Sequence, residues 1–98
     1  LMLYGRINRI IAFLKEKFAE ETELSKEMLI TYSDYLKGEA NDEDLEKANQ
    51  QLNELLKDLS LGLLAVIPFA PITIPMIAKF AKKHNIDLLP EWFKDSLK

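Results

Sequence analysis

The feature that most constrains this chain is an uncharged stretch, 59–78, which reads LSLGLLAVIPFAPITIPMIA and lies between Asp58 and Lys79. As one straight helix it would be about 30 Å long, which is roughly the thickness of the hydrocarbon core of a bilayer. The chain around it is well mixed, with 48% hydrophobic and 30% charged residues, as is typical of a folded protein. Either lipid or the rest of the protein can therefore cover this stretch.

Three prolines in the stretch oppose a straight helix. They stand at positions 68, 71 and 75. Each lacks an amide proton, and its ring would collide with the carbonyl four residues earlier in a regular helix. We therefore predict a helix over 59–67, a break across 68–71 and a second helix that ends near His84. Together these form an apolar hairpin.

Before this stretch, apolar residues recur every three or four positions and predict three amphipathic helices. The first spans about 2–20, the second 26–37, and the third begins after Asn41 and has no breaking residue before Gly62. The predicted apolar faces are Tyr4, Ile7, Ile10, Ile11, Phe13, Leu14 and Phe18 in the first helix; Leu24, Met28, Tyr32, Tyr35 and Leu36 in the second; and Leu45, Ala48, Leu52, Leu55, Leu56 and Leu59 in the third. The polar residues of the third helix, including Asn53, are expected to point outward.

Residues typical of helix ends support these boundaries. Thr22 and Ser25 are both candidate N-caps for the second helix, because their side-chain oxygens can accept from amides of the first turn. Gly38 is expected to take the left-handed conformation that ends this helix. Asn41, with Asp44 three residues later, is the candidate N-cap of the third.

After the hairpin, Asn85 is the candidate C-cap, and Pro90 is expected at the first position of a short last helix. No strand pattern appears. The sequence therefore predicts one all-α domain over 1–98, a small bundle of about five helices with a proline-broken apolar hairpin. Its parts are amphipathic helices over 1–58, the hairpin over 59–84 and a short C-terminal helix over 85–98.

The net charge of −3 conceals an uneven distribution. Ten acidic residues lie between Glu20 and Glu46, whereas Lys79, Lys82 and Lys83 directly follow the apolar stretch. We interpret the acidic run as a solvated surface, and it disfavours binding to DNA phosphates. The lysines either solubilise a helix end or form a cationic collar that contacts anionic lipid or ribosomal RNA.

No set of residues indicates an enzyme, a cofactor site or a metal site. His84 is the only histidine, and no nucleophile or carboxylate stands at a catalytic spacing from it. Asp42, Asp44 and Glu46 alternate as a calcium loop begins, but the position that such a loop reserves for glycine is Lys47. The chain has no cysteine, which excludes disulfides and thiolate ligands. We therefore expect no enzymatic activity and no cofactor.

The run GLLAVIPFAPITIPMIAKFAKKHNIDLLPEWF, residues 62–93, resembles the Letm-like family, named for the leucine-zipper, EF-hand-containing transmembrane protein of the mitochondrial inner membrane. The resemblance is carried by Pro68–Phe69, Ile74–Pro75, Lys79, and Leu89–Pro90 with Phe93. The preceding residues, 35–62, also resemble the lead-in of short bacterial relatives. The resemblance implies an all-α, membrane-associated module that binds ribosomes at an inner membrane, and it associates the family with cation–proton exchange.

Three interpretations of function remain open from the sequence. The first is a non-enzymatic Letm-like module that binds ribosomes, a membrane or both. The second is a soluble helical protein-interaction domain whose core is the hairpin, with homo-oligomers covering any remaining apolar surface. The third is part of a cation/proton exchange system, which would need carboxylates from elsewhere because 59–78 contains none. The expected location is therefore membrane-associated or cytoplasmic.

The expected partners are the ribosome or another protein, and membrane lipid is a further candidate. Two sets of residues are expected to contact them. The membrane or partner contacts are Leu63, Ile67, Phe69, Ile72, Ile74, Met76, Trp92 and Phe93, and the ribosome or anionic-lipid contacts are Lys79, Lys82 and Lys83. For Trp92 and Phe93 the alternatives are an interfacial anchor or a lid on the core.

Overall fold

The computed structural model describes residues 2–57 and 72–97, with side chains from residue 7 onward. Every regular element in these ranges is a helix, which confirms the all-α prediction. The helices are α1 Met2–Phe18, α2 Glu23–Leu36, α3 Asp42–Leu56, α4 Ile74–Lys83 and α5 Glu91–Ser96. Helix α2 is central, because it packs against α1, α3 and α4, and α3 packs against α4 as well.

The described helices share one apolar core. Its buried residues are Ile10, Ile11, Leu14, Phe18, Met28, Leu29, Tyr32, Ala48, Leu52, Leu56, Ile72, Ile74, Ile77, Ala78, Phe80, Ala81, Leu88 and Phe93. Four of these, Ile72, Ile74, Ile77 and Ala78, lie in the described part of the apolar stretch, and Phe80 and Ala81 follow it directly. Protein therefore covers the described end of that stretch, apart from the exposed Met76. No helix in the described ranges is long and apolar enough to cross a bilayer.

The junction of α1 and α2 differs by a few residues from the prediction. The Thr22 side chain caps α2 by accepting from the Ser25 amide at 3.1 Å, so the helix begins at Glu23. Ser25, the other candidate cap, lies inside the helix, and its buried hydroxyl donates to the carbonyl of Lys17 at 3.2 Å. This bond ties the first turn of α2 to the last turn of α1.

The predicted apolar face of α2 is partly wrong. Met28 and Tyr32 are buried as expected, but Leu24, Tyr35 and Leu36 are exposed. The residues that α2 buries are Ser25, Met28, Leu29, Tyr32 and Ser33. Because three helices pack around α2, its buried face includes two small polar residues that a hydrophobic pattern does not count.

Two helices are followed by a residue in the left-handed conformation, which was predicted for Gly38 but not for Asn85. Gly38 follows α2 with φ 75°, and Asn85 follows α4 with φ 54°. In each case the amide of the next residue donates to the carbonyl five positions earlier, at 2.8 Å. These are Schellman motifs, which satisfy carbonyls that the end of a helix leaves without partners.

The predicted N-cap of α3 is confirmed. Asn41 accepts from the Asp44 amide at 2.7 Å and donates to the Asp44 carboxylate at 2.9 Å. Helix α3 ends at Leu56. The expected continuation of this helix, the helix over 59–67 and the break across 68–71 all lie outside the described residues.

Helix α4 is the second half of the predicted hairpin. It begins at Ile74, because Thr73 is extended and caps it by accepting from the Met76 amide at 3.3 Å. Pro75 lies in the first turn, where its missing amide proton costs no intrahelical bond. The helix ends at Lys83, close to the predicted end, but its C-cap is His84 rather than Asn85, the residue that follows.

The last helix, α5, is close to the prediction. Pro90 is its N-cap rather than its first helical residue, with an extended ψ of 159°. The link from Ile86 to Pro90 has no regular structure, and the side chain of Asp87 accepts from the Leu89 amide at 3.0 Å within it.

Candidate partner-binding groove

The structure separates the predicted apolar contact residues into three groups. Ile72, Ile74 and Phe93 lie in the core, where other parts of the chain cover them. Met76 is exposed, and Trp92 is half-buried. Three more, Leu63, Ile67 and Phe69, lie outside the described residues. Among the predicted apolar contacts that the structure describes, Met76 and part of Trp92 therefore stay available to a partner.

Trp92 has the geometry of a lid on the core. Its indole Nε1 donates to the carbonyl of Phe18 at 2.9 Å, and its ring meets that of Phe93 edge to face with 5.8 Å between centroids. The polar edge of the indole is thus used within the chain, while the apolar ring packs against the core cluster.

The three predicted cationic residues are all exposed on α4. Lys79 and Lys82 line a groove between α2 and α4, whereas Lys83 is exposed elsewhere on the helix. We call this surface the α2–α4 groove. Its described lining residues are Tyr35, Leu36, Lys37, Gly38, Pro75, Met76, Ala78, Lys79 and Lys82, and its volume is about 900 Å³.

The apolar part of the groove comes from both helices. The exposed fractions of its large side chains are 49% for Leu36, 39% for Met76 and 36% for Tyr35. Isolated apolar residues on a surface need no explanation, but several lining one concave surface are typical of an interaction site.

The electrostatics of the groove have a single sign among the described residues. Its charged lining residues are Lys37, Lys79 and Lys82. The N-terminal turn of α4 also borders it through Pro75 and Met76, and this turn contains no acidic residue. The first turn of α4 carries partial positive charge, whereas the C-terminal turn of α2, which also lines the groove, carries partial negative charge, so the full charges of the three lysines set the sign. The groove therefore favours an anionic group beside an apolar surface.

A second, smaller depression continues the α2–α4 groove toward the end of α4. It shares Leu36, Ala78 and Lys82 with the groove and has a volume of about 390 Å³. Tyr32 and Asp87 also line it. Burial raises the pKa of the Tyr32 phenol, and the charge of Asp87 raises it further, so this phenol stays protonated at neutral pH.

Two asparagines of α3 position the start of α4, and with it one wall of the groove. The Asn53 amide nitrogen donates to the Ile72 carbonyl at 2.7 Å, and its oxygen accepts from the Ile72 amide at 3.2 Å. The Asn49 oxygen accepts from the Ile74 amide at 2.7 Å. The expectation that Asn53 points outward is therefore wrong. It pairs with the backbone because the extended residues before α4 need partners for their amides and carbonyls.

Sequence reasoning missed part of this site. Lys37 was not proposed as a contact, and Tyr35 and Leu36 were assigned to the core. The spacing of Asn49 and Asn53, four residues apart on one helix, is a usable signal for a side-chain clamp. The exposure of Leu36 has no such signal, because it depends on where α4 crosses α2.

The remaining candidates for chemistry do not assemble into a site in the described ranges. The ring of His84 lies 4.4 Å from that of Phe80, centroid to centroid, at the exposed end of α4. The described residues contain no group of three or more side chains that could hold a metal ion.

Comparison with family models, with curated proteins and with solved structures finds no match to this chain.

Proposed function

We propose that this chain is a non-enzymatic, Letm-like binding module that docks on the ribosome through the α2–α4 groove. The observation that carries the proposal is the placement of Lys37, Lys79 and Lys82 around one apolar groove that runs along α4. Ribosomes present a dense array of RNA phosphates and protein carboxylates, which attract such a cationic surface. The resemblance of residues 62–93 to the Letm-like family supports the same function.

The burial of Ile72, Ile74, Ile77 and Ala78, in the described part of the apolar stretch, supports a module that folds without lipid around this part. Ile72, Ile74 and Ile77 pack into the protein core. The exposed apolar surface nearby is the groove itself, and a partner can cover it. This combines ribosome binding with the properties of a helical protein-interaction domain.

The alternative of cation/proton exchange gains no support from the described residues. Such a pathway uses carboxylates that are buried or line an internal cavity. Every aspartate and glutamate in the described ranges, from residue 7 onward, is at least partly exposed.

Sedimentation with purified ribosomes tests the proposal. The groove variant Lys37→Gln/Lys79→Gln/Lys82→Gln removes three positive charges at the site. The control variant Lys26→Gln/Lys47→Gln/Lys57→Gln removes the same charge from other exposed or partly exposed positions. We expect the groove variant to bind about tenfold more weakly or worse, with a shallower dependence on salt, and the control to bind nearly as the parent does.

Two results would overturn the proposal. One is the absence of ribosome binding by the parent chain. The other is an equal loss of binding in both variants, which would mean that net charge alone matters. Sedimentation with vesicles of phosphatidylserine and phosphatidylcholine is the parallel measurement, and binding to these vesicles without binding to ribosomes would assign the groove to a membrane surface.

A further inference from the structure

We infer that the α2–α4 groove takes an acidic, amphipathic helix of a partner protein rather than a phosphate backbone. The inference rests on the proposed function, since it names what the ribosome presents to the groove. The partner segment carries both apolar side chains and carboxylates, because apolar residues and lysines line the groove side by side.

The apolar lining argues against phosphate as the sole ligand. Leu36, Met76 and Tyr35 are each more than a third exposed around one depression. A sugar–phosphate backbone would leave these side chains uncovered, whereas Leu, Ile or Phe anchors would remove them from water. Selective binding at this place therefore calls for apolar groups in the ligand.

The charges select carboxylates as neighbours of those anchors. Lys37 comes from the end of α2, and Lys79 and Lys82 come from α4, so lysines flank the apolar lining on both helices. A ligand whose apolar side chains enter the groove, with acidic residues on either side of them, would pair with these lysines.

The lining, which comes from two neighbouring helices, fits the binding mode in which a helix lies in a groove between two others. Such ligands place anchors at positions i, i+3 or i+4, and i+7 along one face. The adjoining depression shares Leu36, Ala78 and Lys82 with the groove, but Asp87 lines it, so we expect the acidic residues of the ligand beside Lys37 and Lys79 instead. At Gly38 the wall is open, since a Cβ atom there would meet nothing within 4 Å.

Another cleft on the molecule lacks this selectivity. It lies between α2 and α3, is lined by Glu27, Asp44 and Lys47 among others, and has a volume of about 220 Å³. Its charges are of both signs, and it is much smaller than the α2–α4 groove. It serves instead as a reference surface for the experiment.

The test uses synthetic helical peptides of about 15 residues as probes, which is near the length at which isolated helices become stable. The first carries leucine at i, i+4 and i+7 with glutamate beside them. The second replaces the leucines with alanine, the third replaces the glutamates with lysine, and polyuridylate RNA is the phosphate probe. Amide chemical shifts of the isotope-labelled full chain report where each probe binds.

We expect the first peptide to shift the amides of Leu36, Met76 and Lys79 and to bind about tenfold more tightly than each of the other peptides. The variant Leu36→Gln/Met76→Gln should lose about tenfold in affinity for it. The control Leu24→Gln/Ile30→Gln, which alters exposed apolar residues that do not line the groove, should bind normally. Circular dichroism verifies that both variants are folded.

Equal binding of the leucine and alanine peptides, tighter binding of polyuridylate, or shifts confined to the α2–α3 cleft would overturn the inference. Ribosome sedimentation separates this failure from that of the proposed function. If the lysine variant loses ribosome binding and Leu36→Gln/Met76→Gln keeps it, the proposed function stands and the helix ligand is wrong. If the peptide binds in the groove but the chain does not bind ribosomes, the helix ligand stands and the ribosome is not the partner.

Discussion

The indole Nε1 of Trp92 donates a hydrogen bond of 2.9 Å to the carbonyl oxygen of Phe18, 74 positions earlier in the chain. That carbonyl belongs to the last turn of α1, where a helix has no partners of its own for its carbonyls. The bond fastens α5 to α1, and the neighbouring Phe93 enters the core. The C-terminal segment thus closes the bundle over the end of the first helix.

Replacing Trp92 by phenylalanine tests this bond. Trp92→Phe keeps an aromatic ring but removes the donor, which leaves the Phe18 carbonyl without it in a partly buried place. We expect the free energy of unfolding to fall by about 1–2 kcal/mol, since the variant also loses some apolar contact. Urea denaturation followed by circular dichroism measures this loss. Tyr35→Phe, at an exposed position, should change it by less than about 0.5 kcal/mol, and an equal effect of both substitutions would contradict the role of the bond.

Removing the asparagine clamp should destabilise the start of α4. Asn53→Ala leaves the carbonyl and the amide of Ile72 without their partner, and we expect a loss of about 2 kcal/mol. Asn49→Ala affects the Ile74 amide alone and should cost about 1 kcal/mol. Urea denaturation measures both losses, and hydrogen exchange should accelerate at these two amides.

The exposed neighbour Gln50 is the control for the clamp. Gln50→Ala lies on the same helix and should change stability by less than about 0.5 kcal/mol. Unaltered hydrogen exchange at Ile72 in Asn53→Ala would show that the clamp does not hold this segment.

Substitutions at the two left-handed helix ends should change the stability in different directions. Gly38→Ala places a Cβ atom in a conformation that L-residues disfavour, at φ 75°, and should cost about 1 kcal/mol. Since nothing lies within 4 Å of that Cβ, the cost comes from the backbone alone. Asn85→Gly relieves the same constraint at φ 54° and should leave stability within about 0.5 kcal/mol of the parent or above it. Thermal unfolding compares them, and equal melting temperatures for the two variants would refute this account.

The link before α5 predicts a pH dependence. The hydrogen bond from Lys94 and the Leu89 amide hold the pKa of the Asp87 carboxyl below its usual value. Because the folded-state pKa is lowered, this group stabilises the fold above its unfolded pKa of about 3.9, and the stabilisation disappears as the pH falls through the folded-state pKa. Asp87→Asn should therefore be less stable than the parent at pH 7, and the difference should vanish in acid.

The size of this effect is limited by solvent. The side chains of Asp87 and Lys94 are 58% and 37% exposed, so the loss should be smaller than that of Trp92→Phe and should shrink in high salt. Denaturation at neutral and acidic pH measures it, and Asp95→Asn, a substitution on α5, is the comparison. A difference that does not shrink as the pH falls below the unfolded pKa would contradict the assignment, since the carboxyl is protonated progressively in that range.

Local chemistry predicted the helices and their ends well. Asn41 and Gly38 act through atoms within a few residues along the chain, so their roles follow from spacing alone. For the start of α2, spacing left Thr22 and Ser25 as alternatives, and the structure selects Thr22. Periodicity likewise identified the face of α1 that carries Ile11 and the face of α3 around Leu52. These are helices whose buried sides are mainly apolar.

The candidate site depended on contacts between helices. Leu36 was expected in the core and lines the groove, and Asn53 was expected in solvent and binds the backbone before α4. Neither position can be assigned without knowing where α4 crosses α2 and α3. Lys79 and Lys82 were identified by their charge, but their pairing with Lys37 arises from the same crossing.

By itself the sequence determined that the chain is all-α and placed the ends of the described helices to within a few residues, because these properties arise from hydrogen bonds and apolar repeats over a few neighbouring residues. Only the tertiary structure decided that protein covers the described end of the apolar stretch, and that lysines of two helices meet around an exposed apolar groove. The physical reason is that burial and electrostatic fields are sums over side chains that are distant in sequence, and those sums exist only once the helices have packed.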